Sequence, residues 1–200
     1  QAADGTFTSE AAFAAAAGGM VMESFETLAA QVRSLASVAA PLFTVSTTST
    51  PIGLQVGADS PLPGFGAAAT DGSHYLSAYV PGVPQGTIRF TLLAPTTAFG
   101  FNLLDANEVA GTVSLRTGAG AYAGGVTLID GSGGAPSGNV LFVGITQATP
   151  FTMVDLTVSG VDEAYGVDRV FLSAVPEPAP AALLLCGLAG LAGLSARRQT

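Results

Sequence analysis

From Leu42 to Val175 the chain alternates short β-prone runs with turn-forming breakers and leaves no room for helices between them. The runs are LFTVSTTS, PIGLQVG, HYLSAYV, GTIRFTLL, AFGFNLLD, GTVSLRT, GGVTLID, NVLFVGIT, FTMVDLTVSG and GVDRVFLSAV. Their β-branched and aromatic side chains, in partial period-two alternation, suit half-buried strands. In FTMVDLTV the alternation sets Phe151, Met153, Asp155 and Thr157 against Val154, Leu156 and Val158. Between the runs lie ADSPLPGFG, ATDGS, VPGVPQG, TGAGAYAGG and DGSGGAPSGN, rich in the residues that make turns. A parallel sheet needs long crossover connections, usually helical, so an open parallel α/β fold is excluded. The chain therefore reads as all-β, an antiparallel jelly-roll β-sandwich.

Residues 1–19 read as a short N-terminal helical segment ahead of this body. Thr8 or Ser9 can cap the helix, Glu10 suits its first turn, and alanines carry it to a Gly18–Gly19 stop. GMVMESFETL, alternating around Phe25, reads as the first strand of a β domain spanning 20–175. AAQVRSLASVAAP is ambiguous: alanine-rich enough for a short helix, yet close to a boundary at Pro41. No convincing repeat of fixed period is present.

Charge narrows the function classes. All six basic residues are arginine, set against fourteen acidic ones. Arg197, Arg198 and Glu177 belong to the C-terminal tail, which leaves four against thirteen, a net charge of −9 on the body. Such a body repels nucleic acid and anionic lipid, so nucleic-acid binding is excluded. The single cysteine, Cys186, lies in the tail, and a body without thiols has no disulfide, redox pair or cysteine zinc site. The chain starts at Gln1, which points to removal of an N-terminal export signal, although a fragment would look the same.

The last 25 residues, 176–200, are unlike the rest. Ala179 to Ala196 is an apolar run of 18 residues, which as a helix spans roughly 27 Å, near the lower limit for crossing a bilayer core. Pro178 and Pro180 fit at its start. Gly187, Gly190 and Gly193 are tolerated in membrane helices. Arg197 and Arg198 favour a cytoplasmic C-terminus by the positive-inside rule, with the acidic body across the membrane. A buried core helix is the alternative.

Val175-Pro176-Glu177-Pro178, the apolar helix and the terminal arginine pair closely resemble the PEP-CTERM sorting signal of Gram-negative bacterial proteins. The resemblance implies export, a transient hold in the inner membrane, and cleavage near the triplet by an exosortase. It further implies release to the cell surface or an exopolysaccharide and biofilm matrix. TFTSEAAFAAAAGG leading to ESFETL resembles the helix-then-FE opening of jelly-roll proteins that carry this tail. DGSHYLSAY, TIRFTLLAPTTAFGFNLLD, LFVGITQATPFTMVDLTV and YGVDRVFLSAVPEP resemble their successive strands. Such domains are similar to galactose-binding-like and lectin-like sandwiches. The same resemblance implies a structural calcium pair, Glu26 in the FE segment and Asp168 in the GVD strand, with Asp162 and Glu163 as weaker candidates. Solvated carboxylates, a pairing of Asp168 with Arg169, or a turn cap are the alternatives. Calcium takes hard oxygen ligands from loops that bring distant segments together.

Other chemistry finds little support. His74 is the only histidine, beside Asp71 and Ser73 in TDGSHYL. Neighbours on a strand point to opposite faces, so Ser73 and His74 make a poor catalytic pair, and His74 reads as a strand-edge residue. No GxSxG or HExxH motif is present, and a chain without lysine holds no Walker-type phosphate loop. Gly118-Ala119-Gly120 precedes a turn and a strand rather than the helix a dinucleotide site needs. Tyr75, Tyr79, Tyr122 and Tyr165 could stack on sugars, with Asn102, Asn107 and Asn139 as hydrogen-bonding partners. The reading is a non-enzymatic, exported surface or matrix protein with no catalytic residues. A carbohydrate-binding module that uses calcium is the alternative, and a polysaccharide hydrolase with an acidic pair is the third option.

Overall fold

The computed structural model describes residues 4–48, 53–57, 68–80, 85–106, 112–118, 122–129, 138–159 and 163–173. Pro176, Glu177, Pro178, Arg197, Arg198 and the apolar run lie outside the described residues, as do Asn107 and Asp162. Among the described residues no helix is long and apolar enough to cross a membrane.

In chain order the elements are β1 (Gly5–Phe7), α1 (Glu10–Ala17), β2 (Met20–Glu23), β3 (Gln31–Leu35) and β4 (Ser37–Ala39). They continue with β5 (Phe43–Thr47), β6 (Gly53–Gly57), β7 (Tyr75–Val80) and β8 (Gln85–Leu104). The last four are β9 (Val113–Gly118), β10 (Tyr122–Ile129), β11 (Val140–Ser159) and β12 (Glu163–Ser173). Among the described residues all strand pairs are antiparallel.

Four of the runs read from the sequence fuse pairwise into the two long strands, β8 and β11, which pass through both layers of the molecule. Their register shifts between Thr146 and Met153, where the ladder turns a corner. On one side of the corner, β10, β9, the second half of β11, the first half of β8, β5 and β4 form a front sheet. On the other, β1, the first half of β11, the second half of β8, β12, β2, β7, β6 and β3 form a back sheet. Inward positions on β8 change phase across the corner, from Ile88, Phe90 and Leu92 to Phe99, Phe101 and Leu103, all within one core. The two layers meet where the Phe90 and Phe99 rings stack edge-on, with centroids 5.2 Å apart.

The same corner corrects one expectation. Val154, Leu156 and Val158 enter the core as the alternation predicts, but so does Phe151, assigned with Met153 to the opposite face. A register shift between Phe151 and Met153 reverses which way the side chain points.

The N-terminal helix forms as read. The Ser9 hydroxyl accepts from the Ala12 amide, and the helix ends at Gly18, whose φ of 77° suits glycine. The strand read as the first is the second, because Gly5–Phe7 already forms β1 ahead of the helix, and β2 is shorter than expected. It stops at Glu23, because Phe25 adopts a φ of 63° and Glu23 accepts a hydrogen bond from the Phe25 amide at 2.7 Å. Glu26 therefore lies in a turn, not in a strand. The ambiguous stretch resolves into β3 and β4.

Helix α1 covers the outside of the back sheet through one residue. Phe13 is fully buried and sits over Gly100 and Gly144, which face each other in the ladder between β8 and β11. A Cβ on Gly144 would come 2.7 Å from Cδ2 of Phe13, so the two glycines open the seat the ring occupies. Phe7 and Phe142 flank it, with ring centroids 5.8 and 5.5 Å away. Arg169 adds a polar tie, donating to both Glu10 carboxylate oxygens at 3.0 and 2.9 Å.

Candidate functional site

Two places gather chemistry-bearing side chains. The first is a clasp between β12 and the segment 70–74 that leads into β7. The Oδ2 of Asp168 accepts from the Thr70 amide at 2.6 Å, the Thr70 hydroxyl at 2.8 Å and the Asp71 amide at 3.0 Å. Its Oδ1 accepts from the Arg169 amide at 2.7 Å, made possible by a positive φ of 49° at Arg169. Asn102, opposite Asp168 on β8, donates to the Thr70 hydroxyl at 2.9 Å.

Glu26 holds the other end of the same segment. It accepts from the amides of Ser73, at 2.7 Å, and His74, and its second oxygen faces the Ser73 hydroxyl at 3.3 Å. Gly72 makes this approach possible: its φ is 68°, and a Cβ there would fall 2.3 Å from the Glu26 carboxyl carbon.

The two carboxyls respond to this setting in opposite ways. The His74 amide, helped by the Ser73 amide and the His74 ring, holds Glu26 below the usual carboxylate range against a smaller desolvation effect. Burial pushes Asp168 up, partly offset by its hydrogen bonds from Thr70, Arg169 and Asp71.

The residues read as a calcium pair thus converge on one segment, although they were read from positions 142 apart in the chain. Two carboxylates there are the hard oxygen donors calcium takes. Their oxygens are engaged by N–H and O–H groups, and among the described residues no group of three or more His, Cys, Asp or Glu side chains gathers. Any further ligand would come from backbone carbonyls or water. The Arg169 guanidinium does not pair with Asp168; it goes to Glu10. Ser73 and His74 sit in a turn rather than a strand, so their Oγ and Nδ1 approach to 3.4 Å, with Glu26 Oε2 at 3.5 Å from the same nitrogen.

The second place is the outward face of the front sheet, built by antiparallel register alone. One row runs Ser114, Thr157 and Thr87 across β9, β11 and β8, with the Thr87 and Thr157 hydroxyls 2.9 Å apart. The next row runs Arg116, Asp155, Arg89, Ser46 and Ser37 across β9, β11, β8, β5 and β4. A third runs Met153, Thr91, Thr44 and Ala39. Arg89 and Asp155 form a two-pronged pair, Nε to Oδ1 at 2.7 Å and Nη2 to Oδ2 at 2.8 Å. The Asp155 side chain is only 6% exposed and Arg89 31%, while Arg116 is exposed. The core side of these strands is apolar, so this polar content belongs to the outside.

No family model matches the chain, and no curated protein matches it. Among solved structures it is similar to the K1 cleaved adhesin domain of Lys-gingipain from Porphyromonas gingivalis, with 14% identity, 79% of this chain and 99% of that chain covered, and a TM-score of 0.49. It is also similar to the family 11 carbohydrate-binding module from Clostridium thermocellum solved with a β-1,3-1,4-mixed-linked tetrasaccharide. There the identity is 8%, the coverage 80% and 98%, and the TM-score 0.45. At these identities and scores the likeness says nothing of what this chain binds.

Two of the four tyrosines read as stacking faces lie in the core instead. Tyr75 and Tyr165 are buried, at 1% and 0% exposure. Asn139 donates to the Ala106 carbonyl at 2.9 Å, a structural bond. The front face was missed in the sequence, although each of its charged residues is legible as the polar member of an alternating run: TIRF, VSLRT and MVDLT. That the three are neighbours follows only from strand order and register.

Proposed function

We propose that this chain is an exported, non-catalytic surface or matrix protein whose front-sheet face binds polysaccharide. The observation that carries the reading is the three-row face, where hydroxyls of Ser46, Thr87, Thr91, Ser114 and Thr157 surround the Arg116–Asp155–Arg89 line. Hydroxyls donate and accept together, as sugar hydroxyls do, and guanidinium offers a planar fork. Strands lie about 4.8 Å apart, so an extended polymer crossing them meets a polar group on each strand. The sequence, without a catalytic motif, supports the non-enzymatic part.

Full-length protein should be retarded in native gels containing at least one of a panel of neutral and acidic polysaccharides. Replacing both Thr87 and Thr157 with alanine should weaken that retardation about tenfold, the worth of two modest hydrogen bonds. Migration unchanged across the panel would sink the reading. A chelator arm tests calcium, which Glu26 and Asp168 would hold and which would cross-link the turn after β2, the last strand and segment 70–74. Holo protein should melt higher than chelated protein, and equal melting removes the ion.

The tail carries the sorting half of the proposal: recognition of Pro176-Glu177-Pro178 by an exosortase after export, with the apolar run up to Arg197 and Arg198 as a transient membrane hold. Mature protein from cells with the protease should end near the triplet. A C-terminal peptide still bearing residues 179–200 in those cells counts against sorting.

A further inference from the structure

One end of the body is unlike the rest of its surface, and β12 ends there. Segments 40–42, 93–97 and 147–150 come together at the corner. Leu93 donates its amide to the Leu42 carbonyl at 3.1 Å, and Thr96 stands opposite Phe151 in the ladder. None of the three segments contains a charged residue, in a body whose net charge is −9. Leu93 is 71% exposed, and Pro41, Ala94, Pro95, Ala148 and Pro150 are exposed on the same segments. Strand β2, whose Met20 pairs with Ser173, adds Val21 and Met22, each 42% exposed. The carboxylate that touches these segments, Asp4, accepts from the Ala148 amide at 2.8 Å. Single apolar residues are ordinary on a surface, but an uncharged apolar end on an acidic body marks an interaction surface.

Ser173 fixes the start of the tail to this end. Its hydroxyl lies 2.6 Å from that of Thr96 and accepts from the Thr97 amide at 3.0 Å. Its own amide donates to the buried Thr96 hydroxyl at 3.1 Å. The apolar run begins six residues later, at Ala179, a reach of roughly 20 Å at full extension. We propose that this end of the body lies against the membrane, with Leu93 and the neighbouring prolines in the lipid headgroup region. This rests on the reading of the apolar run as a membrane hold. A tether that short keeps the body at the bilayer, and the surface around its root is the one that meets lipid. Anionic headgroups repel the acidic remainder, so the uncharged end is also the one the bilayer tolerates. Contact then moves Leu93 out of water, which is favourable in proportion to the apolar area covered. In this pose the front-sheet strands run away from the membrane, and their outward face stays open.

The test uses the full chain in phosphatidylcholine vesicles that carry a nitroxide near the headgroup end of the acyl chain. A fluorescent label is attached at Leu93→Cys or at Val140→Cys, each combined with Cys186→Ser. Val140 is also exposed, at 49%, but it starts β11 and lies roughly 20 Å from the corner. Thr149→Cys repeats the measurement on a second segment, and an unchanged melting temperature checks each fold. Quenching at 93 and at 149 is expected to exceed that at 140 about threefold or more, because interfacial contact is shallow. Equal quenching at both ends overturns the orientation while leaving the membrane hold intact. A chain that does not float with the vesicles defeats the membrane hold and this inference together. An emission shift at 93 that grows with the protein-to-lipid ratio, without quenching, gives the end to a second copy and overturns the lipid contact.

Discussion

Phe13→Ala is expected to lower the unfolding free energy by about 3–5 kcal/mol, the range for emptying a fully buried phenylalanine site. The ring is 0% exposed and lies in a small cluster with Ala98 and Phe171, outside the main core. Its weight comes from where it sits. The glycines beneath it belong to β8 and β11, the strands common to both sheets, so the cap on the back sheet and the sandwich share a ladder. Chemical denaturation measures the change, and a loss below about 1 kcal/mol would mean that α1 docks without supporting the sandwich. A companion cycle isolates the contact. Gly144→Ala should destabilise the wild type by about 1–3 kcal/mol through the 2.7 Å approach to Phe13, and should cost much less once Phe13 is alanine. Additive effects would show that ring and glycine do not interact.

Asp168→Ala should cost on the order of 3 kcal/mol, because it strips one acceptor from three backbone amides and a hydroxyl at once. Thr70 and Asp71 would lose their hold on β12, so segment 70–74 should become protease-sensitive while the sheets persist. Stability within about 1 kcal/mol of wild type, with no new cleavage there, would show that the clasp is not needed.

Acid treatment separates the two halves of the clasp. Glu26 has a lowered pKa, so its contribution is complete above the ordinary glutamate range and disappears as the pH falls through the lowered value. Asp168 has a raised pKa, so its protonation favours the folded state, fully below the ordinary aspartate value and lost as the pH rises through the raised one. The stability deficit of Glu26→Gln should therefore shrink on acidification. A deficit that stays constant from neutral pH down to the acid transition contradicts the assignment.

Much of this was legible in the chain. Ser9, Glu10 and Gly18 mark a helix because caps and stops are local events, decided by backbone groups within a few residues. The all-β body was legible for the same reason, since alternation and turn residues act at short range. Glu26 and Asp168 were picked out by resemblance, and the structure brings both to one segment.

What the alternation in the sequence could not carry was pairing. It showed ten runs, but the corner that fuses four of them into β8 and β11, and turns Phe151 inward, is a compromise among layers that no single run contains. Arg89, Arg116 and Asp155 stand in three separate runs, and the pair that bonds, Arg89 and Asp155, is 66 residues apart. Local preferences determined that strands and one helix exist and which side of most strands is oily. Only the tertiary structure decided which strands are neighbours and in what register, because antiparallel hydrogen bonding is blind to sequence distance and is selected by burial of the whole core. The charged line across the front sheet is a product of that second decision.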